Sequence, residues 1–386
     1  MCLFLQVRGV LDILLGWWLW SIRERKGTKR MRAESLEFLR QLLTTPSPSG
    51  SESAGQRIWC DYVRQFADEV ITDAYGNAVG ILNGGADPKI LIDGHIDEIG
   101  LMIKHIDENG FVYFQSIGGV DSGLISGKRV DIHTKKGVVR GVVGATAIHL
   151  RERDKDPKVP KMHEVFIDIG ATDGKAAKRR LAVGDAITFV DDFEMLDKNI
   201  AVSRGLDNRL GCWVAAEILR QAAAAKSKLK CALYACSSIQ EETGCNGAQM
   251  QVANIKPHAA IAVDPTHATD SPGIDQKRHG EVKLGKGPTV SIGRENHPVL
   301  VERLRKVAQK NKISLQVETF SKTGGTDAMV MWTKNGGIPS AIVSPPVRYM
   351  HSTVELVDMR DLQKTANWLT AFALDIKKGE RFKVKV

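Results

Sequence analysis

The chain has 386 residues, of which 43% are hydrophobic and 26% charged, with a formal net charge of +9. That length allows two domains and a large core, and the composition excludes a disordered chain. Residues 1–30 carry six Lys/Arg against two Asp/Glu, so +4 of the charge lies there; the remaining +5 over 356 residues is no argument for nucleic acid, no aromatic-rich basic motif of an RNA-binding type occurs, and no nucleic-acid partner is expected.

In residues 1–30 the run Leu3–Ile22 is largely apolar and holds Trp17, Trp18 and Trp20, but Arg8 and Asp12 break it. Its longest clean stretch, Ile13–Trp20, has eight residues, which is short for a membrane span. The basic cluster follows the apolar run, whereas in a signal peptide it comes first. The expectation is an N-terminal extension ahead of a working protein that starts near Met31. The competing reading is a weak interfacial anchor, whose charges would hold the rest of the chain in the cytoplasm. Cys2, Cys60, Cys212, Cys231, Cys236 and Cys245 form no C-x-x-C pair, and mostly apolar contexts suit reduced thiols in a reducing, cytoplasmic compartment.

From Met31 the periodicity predicts a helix over Arg32–Leu43, with Leu36, Leu39, Leu42 and Leu43 on one face. Thr45–Gly50 stops it, and a second helix follows over Glu52–Phe66. Val70–Thr72 and Ala78–Leu82 read as strands, and Lys89–Asp93 as a buried strand. From about Leu101 to Val190 short β-like pieces alternate with glycine turns, and no convincing helix is expected before Leu210. Alternation of helix and strand then returns. Helices are expected at Leu210–Ala225, Gly247–Val252, Pro298–Asn311, Thr326–Asn335 and Asp358–Lys377. Strands are expected at Lys228–Ser237, Ala259–Asp264, Ile313–Glu318 and Ser340–Ser344. The fold class is therefore α/β: one α/β domain from residues 31–100 plus 200–386, split by an all-β insertion at 101–199.

Chemistry-bearing residues sit beside these elements. They are His95 and Asp97 in Gly94-His95-Ile96-Asp97, Asp207 in Leu206-Asp207-Asn208-Arg209, Glu241 and Glu242 in Gln240-Glu241-Glu242-Thr243-Gly244, Asp264 in Val263-Asp264-Pro265, and His351 in Tyr349-Met350-His351-Ser352. Strand ends are where an open α/β sheet presents chemistry. Two His, three carboxylates and a spare Glu match a two-metal hydrolase. Each has a plainer reading: Asp207 as a helix cap, Asp264 as a turn residue, His351 as a satisfied structural histidine. The joint occurrence in one order carries the chemical reading.

That order resembles the tetrahedral metallo-aminopeptidases, relatives of the glutamyl and deblocking aminopeptidases, over about residues 31–376. The stretches Gly94–Gly100 and Thr323–Ala328 resemble the family too. The resemblance implies a zinc-peptidase-like α/β/α catalytic domain and two divalent metal ions, zinc or cobalt. His95, Asp207 and Glu242 would hold one; Asp207, Asp264 and His351 would hold the other. Glu241 would be the general base, with Asp97 supporting His95. Arg348, Thr326 and Asp327 are candidates for substrate contact. It further implies short peptide substrates, dimerisation through the β insertion and a homo-oligomeric dodecamer.

Other readings compete. A di-metal carboxypeptidase or N-acyl amino acid deacylase would use the same ligands but recognise a free carboxylate, with Arg348 the candidate receptor. An endoglucanase would need two carboxylates and no metal, which the accompanying histidines argue against. A non-catalytic scaffold would not need the full ligand set.

Overall fold

The computed structural model describes residues 31–150 and 159–386. The expectations for residues 1–30, and most of the charged loop at 151–161, lie outside the described residues. Among those described, no helix is long and apolar enough to cross a membrane.

An eight-stranded mixed sheet organises the chain. In spatial order its strands are Glu69–Thr72, Ala78–Leu82, Ala232–Ser238, Lys89–His95, Ala259–Val263, Ser340–Ser344, Thr289–Gly293 and Gln316–Phe320. The four from Ala232–Ser238 to Ser340–Ser344 run parallel, and almost every residue in them is buried. Their apolar, continuous composition suits strands covered on both faces. All four point their C-terminal ends to the same edge, which gathers His95, Glu241, Asp264 and the Pro345–His351 segment.

The helix Leu206–Ala223 lies directly on this sheet. A Cβ on Gly94 would fall 2.3 Å from the Gly211 carbonyl carbon, and one on Gly211 would fall 2.2 Å from the Val263 carbonyl oxygen. Only glycine at both positions lets the helix come this close, and the approach brings Asp207 against the strand ends. A five-stranded sheet, ordered Glu194–Met195, Ile200–Ser203, Glu355–Asp358, Pro346–Arg348 and Thr266–His267, flanks the same edge.

Between residues 100 and 189 six strands close an antiparallel barrel in the order Gly100–Ile106, Val112–Ile117, Phe166–Asp168, Gly137–Gly144, Arg129–Thr134 and Ala186–Phe189. Leu101, Ile103, Val112, Val130, Ile132, Ile167 and Ile187 fill it. Closure removes the exposed edges that such short strands would otherwise present.

Local departures from the sequence expectations have physical causes. A short helix, Gly174–Arg180, interrupts the β region; Asp173 caps it by accepting the Ala176 N–H at 2.7 Å. The helix expected over Thr326–Asn335 shrinks to Ala328–Met331, with turns on either side. The strands Gly100–Ile106, Thr289–Gly293 and those of the five-stranded sheet arise from segments too short or too mixed to show a period.

Candidate active site

His95 ends its strand 1% exposed. Its Nδ1 faces the Asp97 backbone carbonyl at 3.2 Å and the Asp97 carboxylate at 3.4 Å. Its Nε2 faces Asp207 Oδ1 at 3.2 Å, Glu241 Oε2 at 3.7 Å and Asp264 Oδ1 at 4.0 Å. On the other side of Asp207, His351 Nε2 lies 3.4 Å from Asp207 Oδ2 and 3.6 Å from Glu242 Oε2. Asp207 thus turns one oxygen to each histidine.

Asp207 is free for this because a neighbour caps the helix. The backbone at Asp207 and Asn208 is non-helical, and the peptide between them is cis. Asn208 Oδ1 accepts the Gly211 N–H at 2.8 Å, while its amide donates to the Val263 carbonyl at 2.7 Å. The cap expected of Asp207 belongs to Asn208.

Asp97 does more than face His95. Its carboxylate accepts the N–H of Glu241 at 3.0 Å, the N–H of Glu242 at 3.2 Å and the Ser49 hydroxyl at 2.6 Å. The turn that carries both glutamates is therefore pinned to the strand that carries His95. Glu355, 2% exposed, does the same on the far side: it accepts the N–H of Asp207 at 3.1 Å and of His351 at 2.9 Å. The barrel contributes backbone. The His351 Nδ1 meets the Gly119 carbonyl at 3.1 Å, and a Cβ on Gly118 would touch Glu242 Cβ at 3.1 Å. Behind the site, Glu98 binds Arg204 and accepts from Arg209 at 2.6 Å, with all three side chains buried.

Sequence reasoning missed Glu355, Ser49 and the Glu98–Arg204–Arg209 cluster. Glu98 and Arg209 sat inside the motifs already singled out, and a buried carboxylate beside them could have been sought there. Glu355 left no local signal.

The electrostatics are those of an incomplete charge balance. Asp207, Glu241, Glu242 and Asp264 converge, and among the described residues no Lys or Arg pairs with any of them. Burial first, then the charge of Asp207, pushes Glu242 up to about 9 and Asp264 well above the usual carboxylate range. Burial also raises Glu241. For Asp207 burial is outweighed by hydrogen bonding from His351 and His95, which holds it well below its ordinary value. Carboxylates and imidazoles crowded without a balancing cation fit divalent metal ions in both charge and donor type. Donor atoms of His95, Asp207 and Glu242 lie within 4.8 Å of one another, as do those of His95, Glu241 and Asp264.

The remaining candidates lie differently. Arg348 donates to Asp270 Oδ1 at 2.7 Å, so its guanidinium is already engaged. Thr326 Oγ1 accepts the Ala328 N–H at 3.3 Å and is 7% exposed. Asp327 is 2% exposed and sits beside Glu241 and Cys245 rather than on an open surface. Cys60, Cys212, Cys231, Cys236 and Cys245 are free and buried.

An α/β domain with this carboxylate–histidine cluster at the ends of its parallel strands suits a metal-dependent hydrolase. Residues 76–368 match the M42 glutamyl aminopeptidase family, and the chain belongs to that peptidase family. It is 34% identical to a lysyl aminopeptidase of Pyrococcus furiosus over 345 residues, covering 88% of this chain and 97% of the relative. Among solved structures it resembles a TET aminopeptidase from a marine sediment archaeon of the Thaumarchaeota, with TM-score 0.85 and 30% identity, covering 89% of this chain and 96% of that one. It also resembles the Pyrococcus horikoshii TET1 peptidase, which can assemble into a tetrahedron or a large octahedral shell. That match has TM-score 0.79 and 31% identity, covering 89% of this chain and all of the other. The chain is thus an aminopeptidase of the M42 family, with the α/β fold of the TET enzymes.

Proposed function

We propose that this aminopeptidase removes single residues from the free amino end of short peptides, using two divalent ions held by His95, Asp207, Glu242, Asp264 and His351. The observation that carries this reading is the position of Asp207, one oxygen 3.2 Å from His95 and the other 3.4 Å from His351. A carboxylate so placed can serve two ions at once. The distances favour one change to the ligand sets expected from the resemblance. His95, Asp207 and Asp264 form one group, and His351, Asp207 and Glu242 the other, so Glu242 and Asp264 exchange places. Nitrogen and oxygen donors suit zinc or cobalt.

Such ions, when bound, lower the pKa of water and polarise the scissile carbonyl. The residues of the chain do the rest. Glu241 is 11% exposed at its side chain and is held toward the cluster by Asp97 through its own backbone. It takes the proton of the attacking water and passes it to the departing amine. Burial raises its proton affinity, and divalent ions bound beside it would act in the opposite sense. Asp97 and Glu355 hold the ligand-bearing turns at fixed spacing, and the Gly118–Gly119 backbone of the barrel closes the side near His351.

The barrel is the proposed subunit contact. It exposes Leu124, Val138 and Val142, at 48%, 60% and 46%. A homo-oligomer of the tetrahedral, dodecameric kind would set such sites facing a shared interior, reached by short peptides. The proposed compartment is the cytoplasm, in keeping with the free thiols.

Glu241→Gln tests the assignment. The variant should keep its metal content and lose turnover by about 100-fold or more, whereas Asp207→Ala should lose metal and activity together. Full activity of Glu241→Gln would remove Glu241 from the mechanism.

A further inference from the structure

We propose that Lys128, on the barrel, is a positioning residue for His351: its ammonium grips the loop that carries this histidine and so maintains the ion on the His351 side of Asp207. The inference rests on the two-ion reading above. The two histidines are held very differently. The His95 side chain is 1% exposed at a strand end, whereas that of His351 is 40% exposed and stands on a loop. Tyr349 and His351 both have left-handed backbone, with φ of 60°. That conformation costs a residue other than glycine about 1–2 kcal/mol. Two such residues within three positions persist only where the surroundings hold them.

The holding contacts come from three directions. Inside the loop the Ser352 hydroxyl donates to the Tyr349 carbonyl and accepts the Val354 N–H at 3.2 Å. From the following strand Glu355 accepts the His351 N–H. From the barrel, the Gly119 carbonyl meets the imidazole, and Lys128 Nζ donates to Thr353 Oγ1 at 2.5 Å. Thr353 is 6% exposed, so its hydroxyl has little access to water as a substitute partner. Asp191 fixes the ammonium from the other side, its oxygens at 3.2 and 3.4 Å. Lys128 directly precedes the strand Arg129–Thr134, and Asp191 lies two residues beyond Ala186–Phe189, so paired strands of the closed barrel place both. Asp191 balances the charge of Lys128, and what reaches His351 is position rather than added charge. Asp207 is held by other means, through Glu355 and the Asn208 cap. Loss of the tether therefore falls on the His351 side and spares the His95 side.

Two substitutions isolate the contact. Thr353→Val removes the hydroxyl at nearly constant shape and leaves the Lys128–Asp191 pair in place; Lys128→Met removes the ammonium and keeps the apolar stem. Titrating chelator-treated enzyme with zinc against a chromogenic chelator counts the ions bound and separates their two affinities. In both variants the affinity for one ion should fall about tenfold, the lower end of the range for groups that orient ligands, while the other ion binds as in the wild-type chain. Excess zinc should restore kcat, with KM for the peptide unchanged. Thr353→Ser, which keeps the hydroxyl, should bind both ions normally. Weakening of both ions alike, or a kcat that excess zinc does not restore, would mark a general loss of packing and overturn the role. A wild-type chain that binds two ions, with both variants equally tight, overturns the inference and leaves the two-ion reading standing. A wild-type chain that binds a single ion overturns that reading and the inference with it.

Discussion

The Asp97 carboxylate accepts the backbone N–H of Glu241 at 3.0 Å, tying the proposed base to the strand end that carries His95. In Asp97→Asn one acceptor oxygen becomes an amide NH₂, so the N–H of Glu241 or that of Glu242, which use different oxygens of Asp97, would meet a donor. A displaced base costs about 100-fold in kcat, with KM little changed. Steady-state kinetics on an amino-acid anilide at full metal loading checks this split. Ser49→Ala, which removes only the hydroxyl that donates to Asp97, should cost about 1 kcal/mol of stability and much less activity.

Glu355 should show itself in metal affinity. It accepts from the backbone of both Asp207 and His351, so Glu355→Ala frees two of the ligand-bearing turns at once. Metal affinity should fall about 10- to 100-fold, as for other groups that orient ligands. Glu355→Gln keeps one acceptor oxygen and should lie between. Competition with a chromogenic chelator measures both.

The fold and the site were unequally legible in sequence. The parallel core strands were readable as apolar runs, and the motifs that follow them carry the residues that the structure brings around Asp207. Glu355 sits in an ordinary-looking four-residue strand at the middle of the five-stranded sheet, and its partners are backbone groups, one of them 148 residues away. Glu98 meets Arg204 and Arg209 across 106 and 111 residues, contacts that only the folded chain creates. The Gly174–Arg180 helix is too short for a period, although Asp173 ahead of it was a readable cap. Asp207 and Asn208 divided bridging and capping in a way that composition does not specify.

Glu98 should matter for stability. Burial opposes its charge, but Arg204 and Arg209 overcome this and hold it at about 2, below its ordinary 4.5. A depressed carboxylate stabilises the folded state above the unfolded value, and the contribution fades as pH falls from about 4.5 toward 2. Glu98→Ala leaves two buried guanidinium groups unpaired and should cost about 3–5 kcal/mol at neutral pH. Thermal melts from neutral pH into that acid window should show a steeper loss for the wild-type chain than for the variant.

Arg348 should be indifferent to substrate ends. Its bond to Asp270 is partly exposed, so Arg348→Ala should cost less than about 1 kcal/mol of stability. It should leave kcat/KM unchanged between peptides with free and amidated carboxyl ends. A selective loss on free carboxyl ends would revive the carboxypeptidase or deacylase chemistry.

The most direct measurement is release of the first residue from matched unblocked and N-acetylated peptides, by chelated enzyme and by the same enzyme with zinc or cobalt restored. Metal-restored cleavage of unblocked peptides alone is the predicted result. Equal cleavage of acetylated peptides, or cleavage that survives the chelator, would contradict a two-metal aminopeptidase.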